Sequence, residues 1–242
     1  MKLATWNVER PVAARRRVAI RAEIDKVGAD LLVLTEAHDG LPTSYAHAVS
    51  SAPGRDSNQK ARHRWVTICS HSRLERIHTT DKQRTAAARV FPNTSDPFIV
   101  FGTVLPWLGS TWEDFPSAGG VAFQKALDVQ AADWRRIKTD HLRDEFFILG
   151  DLNQDLVSPR YYGSRANRTA LETALSDAGM VVLTGGTNDP VRRDSPPHAS
   201  IDHICARSDS AWRAEAPMRW PSESDPVKGL SDHFGISVEL VR

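Results

Sequence analysis

Cysteine is scarce in this chain. Cys69 and Cys205 are the only two in 242 residues, and each lies in an apolar segment. A disulfide framework or a thiolate zinc site needs more ligands at closer spacing, so both read as buried thiols. Charge of one sign is lacking too, since the formal net charge is +1. A global pull on nucleic acid is therefore absent, although a local basic groove escapes such a count. No uninterrupted apolar run approaches membrane-spanning length. The start, Met1-Lys2-Leu3-Ala4-Thr5-Trp6-Asn7, lacks the apolar stretch of a signal peptide. The expectation is a soluble cytoplasmic protein with no membrane and no protein partner. There is no internal repeat, and no Ser, Cys or Lys stands in a nucleophile motif. Gly185-Gly186 lacks the spacing of a phosphate-binding glycine loop.

What is present is ordinary globular material, 40% apolar and 25% charged. Length and pattern suit one domain over residues 1–242, with a sizeable core. Residues 3–8 alternate as a strand ending at Asn7 and Glu9. Residues 12–27 repeat as an amphipathic helix closed by Gly28. Arg15, Arg16 and Arg17 read as its solvated face or, less simply, as phosphate contacts. Residues 31–34 are a fully apolar strand running into Thr35-Glu36. Residues 66–69, 85–91 and 98–105 read as further strands, with polar chain over 52–64 and 73–83. Residues 110–120 form a loop whose Trp112 and Phe115 pack on the domain or stack on bases. The longest helix pattern covers 121–142. A shorter helix over 171–178 and a short strand over 180–183 follow. Residues 198–206 and 235–240 close the list of strands.

The centre of the pattern is Phe146-Phe147-Ile148-Leu149-Gly150-Asp151-Leu152-Asn153-Gln154-Asp155. Four apolar residues read as a strand buried on both faces. Gly150 then allows backbone angles that other residues avoid. Alternation along an extended chain would aim Asp151 and Asn153 at one site. An acid beside a neutral amide is a hydrolytic pairing; the same two residue types also form Asx turns. Similar polar tips close other apolar strands: Asn7 and Glu9, Glu36, Asp202, and Asp232 with His233. One such tip is weak, but this many suggest converging strand ends. Hard oxygen donors without thiolates suit Mg²⁺ or Mn²⁺, and the set matches the hydrolysis of a phosphate ester. His203 follows Asp202 and should point to the opposite face, as a structural residue. The loop 157–168 mixes Arg160, Arg165 and Arg168 with Tyr161 and Tyr162. It is either an ordinary surface loop or a substrate contact for phosphate or nucleic acid.

The ordered set Thr5-Trp6-Asn7-Val8-Glu9, Leu34-Thr35-Glu36, Gly150-Asp151-Leu152-Asn153, Ile201-Asp202-His203-Ile204 and Ser231-Asp232-His233 resembles the endonuclease/exonuclease/phosphatase superfamily, the DNase-I-like fold. Each motif is short, but their order spans almost the whole chain. The resemblance implies an α/β (α+β) four-layer α/β/β/α sandwich of two mixed β-sheets flanked by helices. It implies a metal site built on Glu36, with Asn7, Glu9 and Asp232. Asp151 would activate water, Asn153 would hold the phosphate or nucleophile, and His233 would contact the scissile phosphate, oriented by Asp202. Arg160, Arg165 and Tyr161 are the candidate substrate contacts.

One position departs from the family. The strand through Val104 matches a segment that usually presents His or Tyr to the phosphate. Either His198, Tyr161 or Tyr162 replaces that group, or the leaving group needs little help. The expected function is a divalent-metal-dependent phosphodiesterase acting on DNA or RNA. The alternative is a phosphatase or phosphodiesterase for a small-molecule or lipid phosphate. A binding module that lost catalysis on the same fold ranks third.

Overall fold

A computed structural model describes residues 1–41, 43–54, 62–93, 95–156, 161–195, 197–221 and 230–242. The first half of the chain gives β1 (Lys2–Asn7), α1 (Ala14–Val27), β2 (Leu31–His38), β3 (His47–Ser50), β4 (His63–Ser70), β5 (Arg73–Ile77), β6 (Thr85–Phe91) and β7 (Phe98–Val104). The second gives α2 (Val121–Asp140), β8 (Glu145–Asp151), α3 (Arg165–Asp177), β9 (Met180–Val182), β10 (Arg193–Asp194), β11 (Pro197–His198), β12 (Asp202–Arg207), β13 (Arg213–Ala214), β14 (Met218–Trp220) and β15 (Gly235–Val241).

Two mixed sheets result. The first runs β13-β15-β1-β2-β4-β3, with β14 also on β15; the second runs β5-β6-β7-β8-β12-β9. Each has one parallel pair, β1–β2 and β7–β8, and its other pairs are antiparallel. A helix lies between the two strands of each parallel pair in the chain, α1 in the first and α2 in the second. That is the crossover a parallel pair requires.

The period of two along each strand builds the layers. Leu3 and Val33 of the first sheet meet Val100, Phe147, Leu149 and Ile204 of the second in a core between the sheets. The alternate residues Ala4, Trp6, Leu32 and Leu34 face Ile20 and Ile24 of α1. On the other side Ile99, Phe101 and Ile148 pack on Phe123, Leu127 and Trp134 of α2 and on Leu171 and Leu175 of α3. Phe101 meets Trp134 edge to face with centroids 6.2 Å apart, a pairing that adds about 0.5–1.5 kcal/mol beyond its area. This is the α/β/β/α sandwich.

Several boundaries move from their expected places. Strand β2 continues through Glu36 to His38 instead of stopping at Leu34. Helix α3 begins at Arg165, because Ser164 caps it by accepting the Asn167 N–H at 3.1 Å. Residues 198–206 are not one strand: His198 belongs to the β10–β11 ribbon and β12 starts at Asp202. The polar stretch after Arg73 holds β5, an edge strand that among the described residues pairs with β6 alone. Trp112 packs as a buried residue stacked on Phe115, its indole N–H donating to Asp81 at 3.0 Å. Cys69 and Cys205 are buried and unpaired. Burial pushes both thiols up to about 12.

Candidate active site

The polar strand tips do converge. β1, β2 and β8 end on one edge of the sandwich. β12 enters there with Asp202 directly across from Asp151 in the ladder, and the loop before β15 brings in His233. Gly150 lets β8 reach this edge: its φ is 139°, and a Cβ there would sit 2.1 Å from the Thr103 carbonyl oxygen.

Backbone strain gathers at the same edge. Glu9, Arg10, Glu36 and Asn153 all have φ between 46° and 51°, a region costly for side-chain-bearing residues. For Asn153 this corrects the expected geometry. It does not reach the site by alternation along an extended strand. The Asp151 carboxylate accepts the Asn153 N–H at 3.0 Å, an Asx turn, while the Asn153 amide donates to the Leu105 carbonyl at 2.8 Å. Asn7 makes the same turn with Glu9 at 2.9 Å. The turn-forming and site-forming readings of these residues hold together.

Three carboxylates and one imidazole meet here. The Asn7 amide donates to Asp151 at 3.1 Å and lies 3.5 Å from Glu36 Oε1. Arg10 Nε approaches Glu36 Oε2 at 2.9 Å. His233 Nδ1 and Asp202 Oδ2 are 2.5 Å apart, and ligand atoms of Asp151, Asp202 and His233 lie within 4.8 Å of one another. Asp202 Oδ1 is buried without a hydrogen-bond partner among the described residues. Burial pushes the Asp151 carboxyl up, with the Asp202 charge adding to it and His233 opposing, to about 8. Burial raises Glu36 as well, with Arg10 opposing. Burial alone would lower His233, but the charge and hydrogen bond of Asp202 outweigh it and lift the ring to about 10.

The His233 loop is pinned to β1. Ser231 Oγ donates to the Asn7 carbonyl at 2.6 Å, Trp6 donates its indole N–H to the His233 carbonyl at 3.0 Å, and Arg16 holds the Leu230 carbonyl at 2.6 Å. Arg16 is thus an anchor and not part of a solvated face. A cleft of roughly 410 Å³ opens over the acids, walled by Trp107, Tyr161, Tyr162, His198 and Phe234.

The expected site residues divide by place. Glu36, Asp151, Asn153, Asp202, Asp232, His233 and Tyr161 line the cleft, and Asn7 lies beneath it. Asp232 is largely exposed at its mouth, 3.9 Å from His233 Nε2. Glu9 is not brought in: its carboxylate turns to Arg16 at 2.7 Å. Arg165 is exposed on the first turn of α3, outside the cleft lining. Arg160 lies outside the described residues. His203 is structural, fully buried with its ring 3.0 Å from the Gln154 carbonyl and 3.4 Å from the Thr184 hydroxyl. Val104 faces the inter-sheet core, fully buried.

Residues 4–233 match the Endonuclease/Exonuclease/phosphatase family. The chain belongs to this family. Its members are hydrolytic phosphoesterases that depend on a divalent metal. Solved structures repeat the fold at low identity. An AP endonuclease from Archaeoglobus fulgidus is 17% identical with a TM-score of 0.69, covering 99% of this chain and 98% of that one. A 3'-5' exonuclease from Neisseria meningitidis is 20% identical with a TM-score of 0.64, covering 99% of each chain. A mannosyl-6-phosphatase from Bacteroides thetaiotaomicron is 13% identical with a TM-score of 0.68, covering all of both chains. No curated protein matches the sequence. No helix among the described residues is long and apolar enough to cross a membrane.

The residues fit the family's cation. Three buried acids share one edge, one carboxylate oxygen there lacks a partner, and every nearby anionic donor is a hard oxygen. The sequence reading missed Arg10, whose guanidinium tempers the charge of Glu36 from an adjacent strand end. Its only local signal was its place beside Glu9 at the tip of β1. It also missed that Arg16 and Ser231 fasten the His233 loop, contacts made across more than 200 residues.

Proposed function

We propose that this family member is a Mg²⁺- or Mn²⁺-dependent phosphodiesterase acting on nucleic acid. The observation that carries the reading is the edge cluster of Glu36, Asp151, Asp202 and His233 under an aromatic-walled cleft. Glu36 and Asn7 would hold the cation, with Asp232 at the mouth. A cation bound there polarises the phosphoryl oxygen and stabilises charge as it develops.

The remaining chemistry belongs to the chain. Asp151 is the base: it is buried where the strand tips meet, and burial with the Asp202 charge raises its affinity for the proton that it takes from water. Asn153, fixed by its turn and by the Leu105 carbonyl, sets the amide beside that water. His233 is cationic at neutral pH because Asp202 holds it so. With Nδ1 committed to Asp202, its Nε2–H is left for a phosphate oxygen. Tyr161, 44% exposed at the rim, offers a face on which a base stacks. The two free thiols suit a reducing compartment such as the cytoplasm.

A second reading, a small-molecule or lipid phosphate, has one observation in its favour. Of the arginines expected to meet the substrate from this segment, both described ones belong to α3: Arg168 is bound to Asp155 and Arg165 lies outside the cleft. Nucleic-acid affinity rests mainly on Lys and Arg at phosphates. The test is Mg²⁺-dependent hydrolysis across single-stranded, double-stranded and abasic DNA, RNA, and a small phosphodiester and phosphomonoester. The proposal expects a nucleic acid to be cut, and EDTA to stop it. Cleavage of the small esters alone would move the assignment to the second reading.

A further inference from the structure

Residues 154 and 155, just past β8, also bind residues 161–168 beside the cleft. Asp155 is fully buried. Its carboxylate accepts the backbone N–H of Tyr161 and, at 2.5 Å, that of Tyr162, while Arg168 of α3 closes on the same group. Gln154 Oε1 accepts the Ser164 N–H at 3.2 Å. Two adjacent tyrosines are thereby fixed on the wall. Tyr161 lies against His198 with ring centroids 4.5 Å apart. Tyr162 is half-buried, lines the cleft with Asp151 and His233, and accepts the Leu108 N–H on its hydroxyl oxygen at 3.4 Å. A phenol that accepts from backbone keeps its own O–H. Among the described residues that proton has no acceptor. Burial pushes the Tyr162 phenol above its ordinary value, so the O–H persists through the neutral range.

The geometry points to Tyr162 as a catalytic residue whose hydroxyl donates a hydrogen bond to the leaving oxygen of the phosphate ester, with Asp155 as the positioning residue that sets it there. This rests on the phosphoesterase reading. Water adds to phosphorus and gives its proton to Asp151. The bond from phosphorus to the leaving oxygen breaks, and its electron pair stays on that oxygen. Tyr162 stabilises the charge as it forms, and a solvent proton completes the alcohol. A neutral donor acts most where charge appears only in the transition state.

The test compares wild type, Tyr162→Phe, Asp155→Asn and the double variant with Mg²⁺. The substrates are an unactivated dinucleotide and a thymidine p-nitrophenyl phosphodiester, whose leaving group needs no help. Tyr162→Phe should lower kcat on the dinucleotide about 10²-fold at nearly constant KM, and leave the nitrophenyl ester within about threefold. Asp155→Asn should show the same selective loss, and the double variant should be no slower than the worse single one. Equal slowing on both substrates, or Tyr162→Phe within twofold of wild type, would overturn the inference while leaving the phosphoesterase reading intact. A wild type inactive on both would overturn the inference, and the same protein run on a phosphomonoester and on duplex DNA shows whether the phosphoesterase reading stands without it.

Discussion

Asp151 ends β8 and Asp155 follows four residues later, and both are buried, at 2% and 0% exposure. Their surroundings are opposite. Asp155 is compensated by a guanidinium and two backbone N–H groups. Asp151 instead shares its edge with Glu36 and Asp202, with an amide and an imidazolium for company. A buried carboxylate with its cation supplied holds the fold together. One placed among other acids raises the cost of the fold and leaves room for a cation from outside. The two histidines repeat the contrast. In His203 burial lowers the pKa, and its partners are neutral oxygens; His233, facing Asp202, stays cationic.

Three measurements press on this comparison. The largest effect is expected from Asp151→Asn, which should lower kcat roughly 10³-fold or more with the circular-dichroism spectrum unchanged; activity within tenfold of wild type would remove Asp151 as the base. Next comes Asp155→Ala, which leaves Arg168 without its buried partner. Urea unfolding should show a loss of about 3–5 kcal/mol, and a loss below about 1 kcal/mol would erase the distinction between the two acids. The third is the pH dependence of stability in metal-free protein. The folded pKa of Asp151, about 8, lies above the ordinary 3.8. The folded chain therefore holds a proton that the unfolded chain gives up. That stabilisation is full below the unfolded pKa and is lost as pH rises through about 8. Asp151→Asn does not titrate, so its melting temperature should match wild type near pH 4 and exceed it above pH 8. A shift of about 2–4 °C for each kcal/mol is expected, and parallel pH curves for the two proteins would contradict the raised pKa.

Much of this was legible in sequence because it depends on short-range pattern. Alternation located β1, an unbroken apolar run located β8, and the polar ends of apolar strands named Asn7, Glu36, Asp151, Asp202 and His233. Gly28, with φ 57°, closes α1 as its position implied. What stayed hidden depends on long-range contact or on backbone strain. Glu9 and Arg10 lie side by side in left-handed conformation and diverge, one to Arg16 and the other to Glu36. No periodicity distinguishes them. The edge strand β5 is too polar to show a buried face, since it borrows its order from β6. The two tyrosines take their place from an acid six and seven residues earlier, a link that only the folded turn reveals.

The central claim is that the Asp151 edge gathers carboxylates that a divalent cation from outside completes, while the Asp155 carboxylate already has its cation in Arg168. Calorimetric titration of metal-free protein with Mg²⁺, for wild type and Glu36→Ala, tests it most directly. The account predicts a saturable site in wild type, weakened at least about tenfold in Glu36→Ala. Equal binding by both proteins, or no binding by either, would contradict it.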